Sequence, residues 1–590
     1  MHAELGSLGR NSKRLLEFQE KLASIKILDP ACGCGNFLVI AYRELRLLEL
    51  RVLHELYVAG LSSKALDVKS LVFVDVDQFY GIEIEEFPAQ IAQVALWLTD
   101  HQMNQLVSDE FGQYFARLPL VKSPNIVHAN ALRVDWQQII APDKLSFIVG
   151  NPPFVGKQLQ SDSQKEELLA IFNGVQGAGV LDYVAAWYRK SVEYMSANKE
   201  IRAALVSTNS ITQGEQVGVL WPQLIARGLR IHFAHRTFQW SSEARGKAAV
   251  HCVIIGLGLQ DAVEKWIFEY ETPKSEPHAI KASNINPYLV DAADMFLEKR
   301  LTPLCTVPSI SFGSMANDGG HLLLSDEEKR VILDAEPGAG KWIRPFMQVD
   351  ELLYGKTRWC LWLLTISPAE LGKLPLVSAR VRAVKRERQK SKRPTTQCLA
   401  DFPTLFGENR QPKNDYFVVP RHTGIDRTVI PIAKVSANVI CGDANLLIAD
   451  PSLFVFGIVQ STMHMAWVRA VCGRIKSDYR YSASIVYNNF PWPEATDKQR
   501  RAIESAAQEV LDARALYPDS SLADLYDPLK TPPALVKTHL SLDRAVDSAY
   551  GKNNFKSEAE RVAFLFARYQ QITAPLDVSE PKKKKRGTAK

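Results

Sequence analysis

The sequence predicts an α/β fold, a parallel sheet with helices on both faces, followed by a mixed α+β region and a C-terminal helical region. Three observations predict it. Up to about residue 260, short β-rich runs alternate with helical stretches, as in a parallel sheet whose crossovers are helices. After about Asp261, glycine, proline and aromatic residues become frequent, basic residues concentrate and helical periodicity weakens. Near Glu494 the helical pattern returns.

The expected strands are Ile25–Leu28, Tyr80–Ile84, Ser146–Val149, Ala203–Ser207, Leu229–Ala234 and Val250–Gly256. Amphipathic segments such as Phe37–Leu53, Phe87–Leu98 and Asp182–Met195 lie between them. Crossovers in such sheets are right-handed, and ligands bind beyond the carboxyl ends of the strands, so chemistry belongs just after each strand. Farther on, Arg500–Leu516, Leu542–Tyr550 and Glu558–Ile572 read as helices, and Pro581–Lys590 as a lysine-rich tail. These shifts set the expected divisions: 1–24 a helical lead-in, 25–265 the α/β domain, 266–494 the mixed region, 495–576 the C-terminal helices and 577–590 a basic disordered tail.

At 590 residues the chain exceeds one core, and domains of roughly 100–200 residues give three or four units. Its 46% hydrophobic and 23% charged residues exclude a largely disordered chain. No apolar run reaches the roughly 20 residues needed to span a bilayer, and Met1–Arg14 is polar, which places the protein in the cytosol with no membrane partner. Of eight scattered cysteines only Cys32 and Cys34 are close, and their spacing departs from zinc pairs, so reduced thiols and no metal are expected. A net charge of +6 is compatible with nucleic acid without pointing to it.

The stretch Ile27-Leu28-Asp29-Pro30-Ala31-Cys32-Gly33-Cys34-Gly35-Asn36-Phe37 is a strand, a glycine-bearing turn and a helix start. Glycines there let the backbone turn tightly and approach a ligand. Gly33 and Gly35 supply half of a dinucleotide fingerprint, whose third glycine is replaced by Leu38. A plain structural turn is the alternative. The next strand ends in Gly81-Ile82-Glu83, where a carboxylate can accept hydrogen bonds from ribose hydroxyls. From these residues in isolation, a solvated acid among its neighbours Glu85 and Glu86 is the favoured reading. Asn130-Ala131-Leu132 follows the apolar Ile126–Val127, so the Asn130 amide faces an adenine edge or simply makes a turn.

Ser146-Phe147-Ile148-Val149-Gly150-Asn151-Pro152-Pro153-Phe154 is the most informative stretch. A buried strand runs into two prolines, which stiffen the chain and remove two backbone donors as it leaves the sheet. The Asn151 amide oxygen and the Pro152 carbonyl are then convergent acceptors beside an aromatic ring. That arrangement suits a flat base carrying an exocyclic NH₂, whose delocalised lone pair is a poor nucleophile. Two acceptors gripping its hydrogens favour the geometry for attack on a methyl sulfonium, and Phe154 would stack on a base flipped out of the duplex. A proline-rich turn explains the prolines but not Asn151 and Phe154 together.

In this order, Asp29–Gly35, Gly81–Glu83 and Asn151–Phe154 resemble the successive motifs of class I amino-methyltransferases acting on DNA. The resemblance implies a Rossmann-like class I methyltransferase sheet and S-adenosyl-L-methionine as cofactor. The cofactor-binding residues so implied are Asp29, Pro30, Ala31, Cys32, Gly33, Gly35, Asn36, Phe37, Glu83, Ile84, Asn130, Ala131 and Asn151. Among them Asp29 and the Gly33–Gly35 turn line the methionine moiety, Glu83 holds the ribose and Asn130 lies near the cofactor adenine. The implied catalytic residues are Asn151, Pro152, Pro153 and Phe154. Asn-Pro-Pro-Phe, rather than a serine-led version ending in tryptophan, points to adenine N6 over cytosine N4, and the motif order puts target recognition C-terminal.

Phe37–Leu45, Ser207–Gln216 and Ser477–Ser482 are similar to the MmeI-like group of combined restriction–modification enzymes, a likeness that runs from about Leu15 to Ile572. Members of that group carry a nuclease and a helical connector ahead of the methyltransferase. Met1 sits only about 25 residues before the first strand, so the expectation is no DNA cleavage by this chain. A separately encoded nuclease or N-terminal subunit is then a candidate partner, able to supply the segment that closes over the methionine end of the cofactor.

Double-stranded DNA is the expected substrate partner. Arg380, Arg382, Lys385, Arg386, Arg388, Lys390, Lys392 and Arg393 form a run suited to phosphate neutralisation, with a solvated helix face as the alternative. Arg421-His422 after Tyr416–Pro420, and Arg474, Lys476, Tyr479 and Arg480 within Gly473–Arg480, are placed for base contacts. Arg245 and Lys247, in Ser241–Lys247, read as a loop near the flipped base or as a plain polar hairpin. Lys582–Arg586 reads as an electrostatic arm. The leading expectation is thus a site-specific adenine methyltransferase; a non-catalytic DNA-specificity subunit or gene remnant is the second reading. An NAD-type oxidoreductase is disfavoured by the missing third glycine.

Overall fold

In the computed structural model, which describes residues 1–58, 72–112, 122–240, 250–449, 452–475 and 478–577, the chain divides into two units. The first comprises Met1–Thr212 with Gln216–Phe296, the second Gln213–Glu215 with the chain from Leu297 onward. The first is built on β1 (Ile27–Asp29), β2 (Phe79–Glu83), β3 (Asn125–His128), β4 (Phe147–Gly150), β5 (Arg202–Thr208), β6 (Arg230–Trp240), β7 (Val250–Gly258), β8 (Lys265–Glu269) and β9 (His278–Ala282). They form one nine-stranded sheet in the order β3-β2-β1-β4-β5-β7-β6-β8-β9. β1 to β5 pair in parallel, whereas β7 runs antiparallel to both β5 and β6. Between β1 and β4 the strand order reverses, and such a switch point opens a crevice at the carboxyl ends of the two strands.

The helices of this unit are α1 (His2–Leu8), α2 (Ser12–Ser24), α3 (Asn36–Val58), α4 (Glu86–Phe111), α5 (Asp162–Ile171), α6 (Ala185–Met195) and α7 (Glu215–Ile225). Leu15, Phe18 and Leu22 of α2, Leu38, Tyr42 and Leu45 of α3, and Ala89, Ala92 and Leu96 of α4 share one buried cluster with Ile27, Phe79 and Ile126 of the sheet. Inside that layer Arg46 is buried, and its guanidinium donates to Asp100 at 2.9 Å, to the Tyr42 hydroxyl at 2.7 Å and to Asn104 at 2.9 Å. Three hydrogen bonds, with the Glu49 carboxylate 3.7 Å from its Nε, are what make this buried charge tolerable between helices.

The α/β expectation holds, and each of the six expected strands overlaps an observed one. Three further strands lay outside the sequence reading. β3 is four residues with polar ends, and β8 and β9 interleave charge with apolar positions, so none shows a strong period of its own. They form because neighbours are already in place: β8 lies against β6 and β9 against β8. The sheet therefore runs on past residue 265, and the first unit reaches Phe296.

The second unit holds β10 (Ile310–Phe312), β11 (Leu323–Leu324), β12 (Ile343–Met347), β13 (Trp359–Leu361), β14 (Tyr416–Pro420), β15 (His422–Thr423), β16 (Ala433–Val435), β17 (Ile440–Cys441), β18 (Asn445–Ile448), β19 (Arg474–Ile475) and β20 (Asp478–Arg480). They make three small sheets, β10-β18-β14-β16, β11-β13-β12-β17 and β15-β20-β19. Long helices at Asp497–Ala515, Pro533–Ala549 and Glu558–Asp577 follow. Among the described residues no helix is long and apolar enough to cross a membrane.

One sequence expectation needs correction here. The basic run lies on and just after the helix Pro375–Lys390, which turns Val377, Val381, Val384 and Arg388 inward, one stripe at helical spacing. Arg388 is 1% exposed. Its Nε and two Nη atoms donate to the carbonyls of Asn317, Leu399, Phe402 and Ala316 at 2.9 Å each and of Leu405 at 2.7 Å. All five guanidinium N–H groups are spent on backbone, so Arg388 ties loops together and does not face a phosphate. Arg380 likewise donates to the carbonyls of His321 and Leu323 and pairs with Glu328. Arg382, Lys385, Arg386, Lys390, Lys392 and Arg393 remain exposed. Arg388→Ala should therefore destabilise the second unit by about 3 kcal/mol or more, roughly 6–12 °C in its thermal transition, and Arg388→Lys should recover little of it. Calorimetric or fluorescence-monitored unfolding reads this directly.

Candidate active site

The turn after β1 is shaped by its glycines. Gly33 and Gly35 adopt φ of +52° and +82°, a region in which a side chain is strained. A Cβ on Gly35 would also stand 3.0 Å from that of Ala92 on α4. The Cys32 N–H donates to the Ile82 carbonyl at 3.1 Å and Gly35 N–H to the Cys32 carbonyl at 2.8 Å, fastening the turn to β2 before α3 begins at Asn36. Pro30 and Cys32 are buried, Ala31 and Phe37 half-buried, and Asn36 exposed.

Asp29 closes β1 and is 1% exposed. Its Oδ1 accepts the Ala31 N–H at 3.0 Å, while Oδ2 is buried with no partner. Burial, reinforced by the charge of Glu83 and opposed by the Ala31 hydrogen bond, pushes this carboxyl up to about 7. Desolvation also drives the Cys32 thiol upward, which keeps it protonated. Glu83 folds back onto the turn: Oε2 accepts the Gly33 N–H at 2.9 Å and Oε1 the Glu85 N–H at 3.0 Å. Each carboxylate oxygen retains a second lone-pair site. Ile84 beside it is 57% exposed.

β4 delivers the second half of the site. Its last residue, Gly150, packs on the first half so closely that a Cβ would lie 2.9 Å from Asp29 Oδ1 and 3.6 Å from the Pro30 ring. Directly after it Asn151 is exposed, Pro152 buried, Pro153 exposed and Phe154 half-buried. The switch point thus brings the Asp29–Gly35 turn and the Asn151–Phe154 segment to neighbouring strand ends, as the register Ile27↔Phe147 and Leu28↔Ile148 requires.

The residues that hold this arrangement were silent in the sequence. The Val155 carbonyl accepts from Tyr183 N–H at 2.9 Å and from the Gln160 side chain at 3.3 Å. Asp182 accepts the Lys157 N–H at 3.3 Å and is itself held by Ser210 and by Thr208 at the end of β5. Trp187 of α6 donates to the Pro30 carbonyl at 3.0 Å, and Tyr183 meets its ring edge-on at 5.3 Å. Glu167 of α5 gathers Arg133, Asn130 and the Tyr183 hydroxyl. Asn130 is therefore doubly engaged: its oxygen accepts Leu132 N–H at 2.9 Å and its amide donates to Glu167 at 3.0 Å. Ala131 is buried, and its carbonyl accepts from Trp136 and Lys190. These links join segments far apart in the chain, which no local periodicity reports. The one available signal was the pair of segments Asp182–Met195 and Ser207–Gln216, whose polar leading residues now face each other.

In the second unit, β15, β19 and β20 assemble a small cationic sheet. His422 pairs with Arg480, and Arg474 with Tyr479. Arg421 and His422 are half-buried and Arg480 exposed. Burial and then the charge of Arg480 lower the Arg421 guanidinium, and burial with Arg421 and Arg480 lowers His422, a mutual repulsion that an anion would relieve. Tyr479 needs correction as an expected DNA contact. It is 2% exposed, with the Arg474 guanidinium 4.6 Å over its ring, so it serves as the floor on which Arg474 rests. Arg386, Lys392 and Arg393 lie exposed elsewhere, at the end of the Pro375–Lys390 helix and just beyond it. Arg245, Lys247, Lys476 and the Lys582–Arg586 run lie outside the described residues.

The family model described as the MmeI DNA-methyltransferase domain matches residues 5–269, the MmeI target recognition domain residues 291–494 and the MmeI C-terminal domain residues 495–577. The solved structure of the type IIL restriction–modification enzyme MmeI in complex with DNA is similar, at 51% identity and a TM-score of 0.90, over 97% of this chain and 76% of that one. DNA methyltransferase A of Bacillus subtilis (strain 168) is 38% identical over 557 residues, 94% of this chain and 62% of that protein. The chain thus spans less than two thirds of the Bacillus relative's length. Three domain matches in succession, carried on a sheet whose switch point joins the two motif-bearing strands, mean that the chain belongs to the MmeI family, with its DNA-methyltransferase, target recognition and C-terminal domains.

Proposed function

We propose that the chain is a site-specific DNA methyltransferase, acting in the cytosol as part of a restriction–modification or phage-defence system, that methylates N6 of an adenine turned out of double-stranded DNA. The observation that carries the reading is the exposed Asn151 at the exit of β4, one residue beyond a glycine packed against buried Asp29. The methyl donor is S-adenosyl-L-methionine, which when bound supplies an electrophilic methyl on a cationic sulfonium. The residues fit it: Asp29 offers a buried oxygen without a partner, and the Gly33–Gly35 turn has the positive φ that lets backbone come close.

In this reading Asp29 and the turn from Pro30 to Phe37 receive the methionine end, and the spare lone pairs of Glu83 accept from the ribose, with Ile84 beside it. Asn130 and Ala131 edge the cofactor adenine. Asn130 does so through the turn it fastens, since its own amide is engaged. Asn151 Oδ1 and the Pro152 carbonyl accept from the target amino group, pulling it toward a tetrahedral geometry in which its lone pair is free. Pro152 and Pro153 fix those acceptors before the base arrives, and Phe154 stacks on the base. Target choice falls to residues 266–494, with Arg421, His422, Arg474 and Arg480 toward bases and Arg386, Lys392 and Arg393 toward phosphates.

Long-read sequencing that detects methylated adenine, applied to DNA from cells expressing this chain, should reveal one modified sequence motif; unmodified DNA would overturn the reading. Asn151→Ala should lower kcat at least about a hundredfold in a methyl-transfer assay while leaving DNA affinity by gel shift unchanged. Glu83→Ala should raise the dissociation constant for S-adenosylmethionine by about 10–100-fold in calorimetry, the worth of lost charge-assisted hydrogen bonds. Asp29 gives a pH dependence. Its ligand-free carboxyl sits near 7 instead of 3.8, so it is protonated below that pH, and a cationic ligand binds the ionised form better. Cofactor affinity should rise with pH through about 7, by at most about tenfold per unit below it, and level off above; Asp29→Asn should flatten the profile.

A further inference from the structure

Extruding a base from a duplex leaves an unstacked gap and an orphaned partner base, and apolar side chains inserted between base steps offset that cost. A residue suited to the task must be apolar, exposed, close to the extrusion site and held on a stiff backbone, because a mobile side chain would lose its contribution in ordering. Among the described residues of the first unit, Leu159 meets these conditions. Leu159 is 82% exposed and stands five residues beyond Phe154.

The backbone under it is unusually well fastened for a loop. The Leu159 N–H closes a tight turn onto the Gly156 carbonyl at 2.8 Å. Upstream, Val155 is pinned through its carbonyl by Tyr183 N–H and by Gln160, and Lys157 N–H is held by Asp182. Downstream, the buried Gln160 side chain donates again to the Leu181 carbonyl at 3.0 Å, and Ser161 caps α5 in a reciprocal box with Gln164. Lys157 and Gln158, both exposed, flank the leucine with one cation and one hydrogen-bonding side chain, the chemistry of a phosphate backbone and a base edge. A stiff turn that displays a leucine outward has no folding reason in this unit, since the side chain buries almost nothing.

We propose that Leu159 is the wedge that enters the DNA stack when the target base leaves it. This rests on the reading of the chain as a base-flipping methyltransferase. Leu159 would fill the space vacated beside the orphaned base, and its stiff turn would couple that insertion to the neighbouring Asn151–Phe154 segment.

The test uses the full chain and a duplex carrying the motif mapped by methylation sequencing, with 2-aminopurine at the target adenine for fluorescence and adenine for turnover. Leu159→Ala should remove most of the fluorescence rise on binding and lower single-turnover methylation at least tenfold, while Leu159→Phe should retain both within about threefold. The decisive comparison is a duplex in which the target adenine faces a mismatched base and so leaves the stack at less cost. There Leu159→Ala should recover to within about threefold of the unsubstituted chain; a residue that merely shapes the site would leave both duplexes equally impaired, and that result overturns the wedge. Leu159→Ala methylating the paired duplex at more than half the normal rate overturns it too. If the unsubstituted chain methylates no DNA, the parent reading falls first, and the wedge with it.

Discussion

A buried carboxylate at the junction of two parallel strands organises the first unit. Asp29 ends β1 in a place where only a glycine, Gly150, can pass on β4, because any side chain there would strike its Oδ1. That close approach is what sets the Asn151–Phe154 segment beside the glycine turn. It also strips water from the carboxylate, which accounts for the rise of its pKa to about 7 and for an oxygen left without a partner. An uncompensated buried acceptor is costly for folding and is tolerated where a ligand completes it.

Two polar hubs keep the loops around that junction from collapsing. Asp182 joins the segment after β4 to the end of β5, and Glu167 joins it to the segment after β3. Trp187 reaches across from α6 to the Pro30 carbonyl. The ends of β1, β3, β4 and β5 are thereby fixed relative to one another without any one loop being intrinsically rigid. Preorganisation of this kind matters when the acceptors must be in place before a weakly nucleophilic amine arrives.

The second unit manages positive charge in two opposite ways. Arg388 is surrounded by backbone carbonyls and acts as internal scaffolding, whereas Arg421, His422 and Arg480 crowd together with a repulsion that Asp443 and Asp478 offset only in part. Charge that a fold satisfies internally is structural; charge it leaves in conflict at a surface invites an anion. The distinction separates residues that look identical in a basic run, and it assigns Tyr479 to support of Arg474 and not to contact with DNA.

Much of this protein was legible in its residue order. The alternation of strands and helices, the glycine turn after Asp29, the acid at the end of the second strand and Asn-Pro-Pro-Phe after the fourth are all local patterns, because a strand end, a turn and a helix start are set by a handful of consecutive residues. What only tertiary structure decided was everything that depends on residues distant in sequence. β3, β8 and β9 form because a neighbouring strand accepts their hydrogen bonds. Arg388 faces inward while Arg386 faces out because the helix carrying them has one buried stripe. Asp182, Glu167 and Trp187 gain their roles from partners at least 16 residues away, since Tyr183 to Glu167 is the shortest of those links. Short-range patterns fix which chemistry the chain carries; which side chains meet is set by packing, which no local window contains.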